Sequence, residues 1–148
     1  MTEAKAERRE DYRHFMQIPT RWIDNDIYAH VNNAVYYTYF DTVINYYLIE
    51  AGGLEPRQGD AIGYAVETFC RFLAPISFPD VLDVGLRTGQ LGNSSVRYEL
   101  AIFIKGQDEP CAAGHFVHVF VNRHSQRPQA IQGQLRAALE RLLVHNDL

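Results

Sequence analysis

Residues 32–53 read NNAVYYTYFDTVINYYLIEAGG. Tyr36, Phe40, Val43, Tyr47 and Leu48 recur at helical spacing, and Asp41, Asn45 and Glu50 mark a narrow polar side. Asparagine at the start is a good N-cap, because its side-chain oxygen can accept an otherwise unpaired helix N–H. The Gly52–Gly53 pair is a good stop, because glycine takes the left-handed conformation that closes a helix. A helix that is apolar and aromatic on most of its circumference has to be covered on most of it. That cover must come from the rest of a 148-residue chain, which is the size of one domain.

The remaining patterns supply a sheet. HFMQIPTRW (14–22) alternates, with Met16, Ile18 and Trp22 on one face and Gln17 and Arg21 on the other. Pro19 removes one ladder donor, which places this strand at a sheet edge. Four further strand signals cover 61–73, 81–91, 95–105 and 113–123. LGNSS, with Gly92–Asn93, reads as a tight hairpin turn and KGQDE as a looser one. Pro128 stands at a favoured first helical position, and Ile131, Leu135, Leu139 and Leu142 then give an amphipathic C-terminal helix. There are no internal repeats and no linker. The expected fold class is α+β: an antiparallel sheet of about five strands wrapped around one long central helix, with a C-terminal helix. Residues 1–11 carry balanced charges without an apolar pattern and read as a disordered tail, leaving 12–148 as a single domain.

Composition narrows the function. The chain is 47% hydrophobic and 22% charged, enough for a core without disulfides or a metal. A net charge of -4 and the lack of a basic cluster argue against nucleic-acid and anionic-membrane partners. Cys70 and Cys111 show neither CxxC nor zinc spacing, and read as reduced, buried cysteines of a cytoplasmic protein. MTEAKAERREDYR has no apolar core and is not a signal peptide, and no segment is apolar and long enough to span a membrane. His115 and His118 lie three apart on a strand, so they point to opposite faces and do not form a metal pair.

The polar stretch DNDIYAHVNN (24–33) directly precedes the helix. With its flanks, RWIDNDIYAHVNNAVYYTYFD resembles the signature of the hotdog-fold acyl-CoA thioesterases, the 4-hydroxybenzoyl-CoA thioesterase-like group, roughly R-x-x-D-x-D-x-x-x-H-V-N-N-x-x-Y-x-x-x-F. Arg21, Asp24, Asp26, His30, Val31, Asn32, Asn33, Tyr36 and Phe40 fill the fixed positions. FLAPISFPDVLDV and GHFVHVFVNRHSQRP also resemble family segments, and the order of elements agrees over 12 to about 143. The plant acyl-carrier-protein thioesterases, which resemble this segment too, have an asparagine two before the histidine. Tyr28 stands there in this chain.

Thioester hydrolysis needs a base or nucleophile, a place for negative charge on the carbonyl oxygen, and a grip on the thiol carrier. A helix N-terminus with unpaired N–H groups meets the second need, and the resemblance implies that the Asn33 N–H makes that contact. It also implies that Asp26 is the catalytic aspartate, as nucleophile or as general base on water. Asp24 would orient the loop, and His30 would assist or bond backbone. Tyr36 and Tyr47 would line the acyl pocket as well as the core. Arg71, Arg87, Arg97, Lys105, Arg123 and Arg127 form the pool for phosphate contacts. The activity implied is hydrolysis of an acyl-CoA to free acid and CoA, without cofactor or metal. Two other readings stand beside it: a non-catalytic acyl-CoA sensor and an acyl-thioester hydratase or dehydratase. A homodimer, or a tetramer of dimers, is expected through the strand after the long helix. Glu67 of one copy would face Arg71 of the other about Phe69.

Overall fold

The computed structural model describes residues 7–144. Strand β1 (His14–Pro19) is followed by the long helix α1 (Asn33–Glu50), then β2 (Ala61–Phe72), β3 (Val81–Leu91), β4 (Ser95–Ile104), β5 (Pro110–Asn122) and helix α2 (Gly133–Arg141). All strand pairs are antiparallel, in the order β1-β3-β4-β5-β2. Both β1 and β2 are therefore edges, and β1 is the edge that Pro19 indicated.

Asn32 caps α1 by accepting from the Ala34 N–H, and Gly53 at its end has φ +67. The five apolar positions read from spacing are all buried, joined by Tyr39 and Ile44. They pack on the inward residues of the sheet: Leu82, Val84 and Leu86 of β3, Val96, Tyr98, Leu100 and Ile102 of β4, and Phe116 and Phe120 of β5. Gly114 permits a close approach. A Cβ there would strike the Phe69 backbone and lie 3.0 Å from the Phe40 ring. His118 faces this core and its Nδ1 lies 3.1 Å from the Tyr98 hydroxyl, whereas His115 is on the other side of the sheet, 2.7 Å from Glu67.

Three boundaries differ from the sequence reading by three residues or more. Trp22 does not continue β1. The strand ends at Pro19, Thr20 is tied to the Asp80 carbonyl, and Trp22–Asp24 form a 3-10 turn with Trp22 72% exposed. Strand β5 begins at Pro110, three residues early. Helix α2 begins at Gly133 rather than at Pro128. Residues 127–131 stay outside the helix because their backbone bonds elsewhere: Arg127 O accepts from Asn122 N, Gln129 N donates to Phe120 O and Ile131 N to Asn93 O. Ile131, Leu135, Leu139 and Leu142 are all buried nonetheless.

Of the stretch read as a tail, residues 1–6 lie outside the described residues. Residues 7–11 are laid against the sheet's outer face. Arg9 bonds Asp83 at 2.9 Å and the carbonyls of Gln107 and Ile104, with its guanidinium 4.8 Å from the centre of the Phe103 ring. Tyr12 then packs on Ala101 and Phe103 as a second small core. Isolated charge was visible in the sequence; the anionic, aromatic and carbonyl partners 74 to 98 residues away were not.

Candidate active site

The loop between β1 and α1 is held at both ends. Asp24, 1% exposed, accepts from the Arg21 N–H at 2.9 Å, the Arg21 guanidinium at 3.0 and 2.8 Å, and the Tyr39 hydroxyl at 2.7 Å. Burial alone would push this carboxyl up, but the bonds from Tyr39 and Arg21 more than offset it and hold Asp24 below the ordinary aspartate range. Burial, and then the same bond to Asp24, pushes the Tyr39 phenol far up, so it stays a donor. The Asp24 carbonyl also accepts the Asn32 N–H, which fixes the helix start to the same anchor.

The segment between β2 and β3 clamps the loop from the side. Ile76 O accepts from Val31 N at 2.7 Å, Ser77 Oγ donates to Ala29 O, and Phe78 N donates to Asn25 Oδ1. Within the loop, Asp26 N donates to His30 O and Ala29 N to Asp26 O, a tight reversal that puts Ala29 at φ +64.

Asp26 is half-buried, and its carboxylate accepts one bond, from the Tyr28 N–H at 2.8 Å. It opens on a cleft of about 400 Å³ lined by Val31, Asn33, Tyr36 and the run from Phe72, the last residue of β2, to Pro75. At the start of α1 the Ala34 N–H goes to Asn32 Oδ1 and the Val35 N–H to Asn32 O. The Asn33 N–H has no acceptor among the described residues. The structure thus brings Asp26, Asn33 and Tyr36 to one cleft. His30 is exposed and absent from the lining; what it gives Asp26 is its carbonyl.

Tyr36 meets the cleft with one edge while its ring packs against Phe72 at 4.9 Å. Burial, with Cys111 and Cys70 nearby, pushes its phenol up to about 12, so it is a neutral hydroxyl. Burial also raises the thiol of Cys70 to about 11 and that of Cys111, which leaves no cysteine thiolate beside the cleft at neutral pH. Among the described residues no three His, Cys, Asp or Glu side chains are grouped to hold a metal, and no helix is long and apolar enough to cross a membrane. Sequence reasoning missed Tyr39 and the wall from Phe72 to Ala74. Tyr39 carried a signal, since it lies three residues from Tyr36 and a buried tyrosine hydroxyl needs a partner.

A family model, the Thioesterase-like superfamily, matches residues 18–139. The chain belongs to this superfamily. Among solved structures, the PA5185 protein from Pseudomonas aeruginosa is 56% identical, covers 94% of this chain and 97% of its own, and superposes with a TM-score of 0.92. Slr0204, a 1,4-dihydroxy-2-naphthoyl-CoA thioesterase from Synechocystis, is 16% identical over 84% of this chain and 93% of its own, with a TM-score of 0.77; it shows the shared hotdog fold. No curated protein matches the chain.

Proposed function

We propose that this thioesterase-superfamily chain hydrolyses acyl-CoA thioesters, with Asp26 acting on a carbonyl held at the start of α1. The observation that carries the reading is the pairing, across one cleft, of a lightly bonded carboxylate with an unpaired helix N–H, Asn33. The helix terminus offers partial positive charge where negative charge grows on the thioester oxygen. Asp26 attacks the carbonyl carbon or takes a proton from water. His30 assists through its carbonyl, which fixes the Asp26 backbone. Tyr36 and Phe72 shape the acyl end.

The working unit is proposed to be a homodimer, alone or within a tetramer, paired through β2. That strand has β5 on one side only, and its exposed residues include Val66, Phe69 and Phe72. An edge this apolar is a ready template for a second strand. Trp22, Ile23, Ile27 and Tyr28 are also exposed beside the cleft loop, with Ile27 at 90%. In the proposed register about Phe69, Arg71 of one copy would meet Glu67 of the other, sharing it with His115. Sedimentation at micromolar concentration should show no monomer; a monomer removes this part.

Thiol release from short, long and aromatic acyl-CoAs tests the activity. Turnover of at least one is expected. Tight binding without release from any would replace the hydrolase with a sensor.

A further inference from the structure

The Asp26 loop is a small hairpin standing on α1. The Asn32 N–H donates to Asp24 O at 2.9 Å, Asn25 pairs with Val31, and the Asp26 N–H donates to His30 O at 2.9 Å. The base of the hairpin is therefore Asp24 against the helix cap, Asn32. One such bond fixes a distance and leaves tilt loosely set, because a hydrogen bond persists down to angles of about 120°. Tilt matters here. It decides where the Asp26 carboxylate stands relative to the Asn33 N–H, one residue past the base.

A second tie comes from further along the helix. Tyr39, 3% exposed, donates its hydroxyl to Asp24 Oδ2 at 2.7 Å. Tyr39 is seven residues after Asn32, so the two share one face of α1 and lie about 10 Å apart along its axis. Helical side chains lean toward the N-terminus, which brings the phenol back over the loop. Asp24 is thus held by its carbonyl at the cap and by its carboxylate two turns on. The other donors to that carboxylate, the N–H and guanidinium of Arg21, belong to the loop itself and tie nothing to the helix. The clamp from Ile76, Ser77 and Phe78 joins the hairpin to the β2–β3 connection, again not to α1. The Tyr39 ring also backs Tyr36, centres 6.4 Å apart, and Tyr36 lines the cleft. Asp24 and Tyr39 are both buried within one copy, so this arrangement does not depend on how copies pair.

We propose that Tyr39 is a positioning residue for thioester hydrolysis: its hydroxyl sets the tilt of the hairpin on α1, and with it the Asp26 carboxylate against a carbonyl oxygen held by the Asn33 N–H. The proposal rests on the proposed thioesterase activity. Misplacing a reacting group by about 1 Å can cost on the order of a hundredfold in rate.

The test measures kcat and KM on one acyl-CoA in the parent, Tyr39→Phe, Asp26→Asn and the double variant, per folded molecule and below every melting temperature. Tyr98→Phe is the control, since it removes another buried hydroxyl, the one 3.1 Å from His118 Nδ1, with no link to the loop. Tyr39→Phe should lower kcat about tenfold and move KM by less than about twofold. Tyr98→Phe should lower the melting temperature and leave kcat within about twofold. In the Asp26→Asn background, Tyr39→Phe should cost less than about twofold more, because a hydroxyl that acts by placing that carboxylate has nothing left to place. Parental kcat in Tyr39→Phe, an equal loss in Tyr98→Phe, or losses that multiply in the double variant each overturn the proposal. Amide exchange reads the tie without turnover. The Asn32 N–H should exchange about tenfold faster in Tyr39→Phe relative to β4 amides, and an unchanged ratio also overturns the proposal. A parent inactive on every thioester sinks the activity instead, and the exchange ratio still decides whether Tyr39 holds the hairpin.

Discussion

Asp24 and Asp26 are two residues apart in one loop, and the fold treats them in opposite ways. Asp24 is closed in, its two oxygens taken by Arg21 and Tyr39, and its carbonyl holds the helix start. The Asp26 carboxylate accepts one bond among the described residues, from Tyr28, and faces the cleft. A carboxylate with four donors is a structural anchor; one with a single donor keeps lone pairs for something that arrives. The difference shows how one D-x-D pair divides the work, with the anchored member fixing the backbone from which the freer one acts.

The sharpest way to break this contrast is Asp26→Asn, which keeps shape and removes charge. Turnover should fall on the order of 10² to 10⁴, the usual loss of a general base, while the melting temperature hardly moves. A folded variant with near-parental thiol release would mean that Asp26 also serves only the loop.

Asp24→Ala should do the reverse. It strands the Tyr39 hydroxyl in the core and frees Arg21, and about 3 kcal/mol of stability should be lost in denaturant titration. The surviving folded fraction should keep more activity than Asp26→Asn does. If stability is unchanged, the anchor is misassigned.

Histidines extend the same comparison. Burial lowers the His118 pKa to about 4, while an unfolded chain offers an ordinary imidazole near 6.5. Between these values the unfolded state binds the extra proton, so stability is full above roughly pH 6.5 and falls as pH drops toward 4. About 2 kcal/mol should be lost from pH 7 to pH 5, and His118→Gln should flatten that slope. His30, exposed and contributing a carbonyl, should matter least. His30→Ala keeps the backbone bond and should lower kcat/KM by less than about threefold, a change of well under 1 kcal/mol.

How far the sequence disclosed all this depends on the range of the interactions involved. The α1 cap, its stop, its buried stripe and the hairpin at Gly92–Asn93 were legible because each is set by residues within a turn or two. Trp22, Pro128 and residues 7–11 were misplaced because distant backbone decides them: the Asp80 carbonyl, the Phe120 and Asn93 carbonyls, and Phe103 with Asp83. In the site, the signature pointed to Asp26, Asn33 and Tyr36. The division of labour between the aspartates became physical only with Tyr39, fifteen residues past Asp24. The β2 end, Phe72 to Ala74, read as ordinary strand and loop, since nothing local marks a strand terminus as a cleft wall.

Ala29 sits at φ +64, in the left-handed region, between the two bonds that turn the chain from Asp26 to His30. Glycine would occupy that conformation with about 1 kcal/mol less strain, but it would also enlarge the set of shapes open to the loop before a ligand arrives. An alanine there narrows the ensemble at some expense in local energy. The entropy of arranging the Asp26 loop is thereby met during folding rather than at each encounter with a thioester.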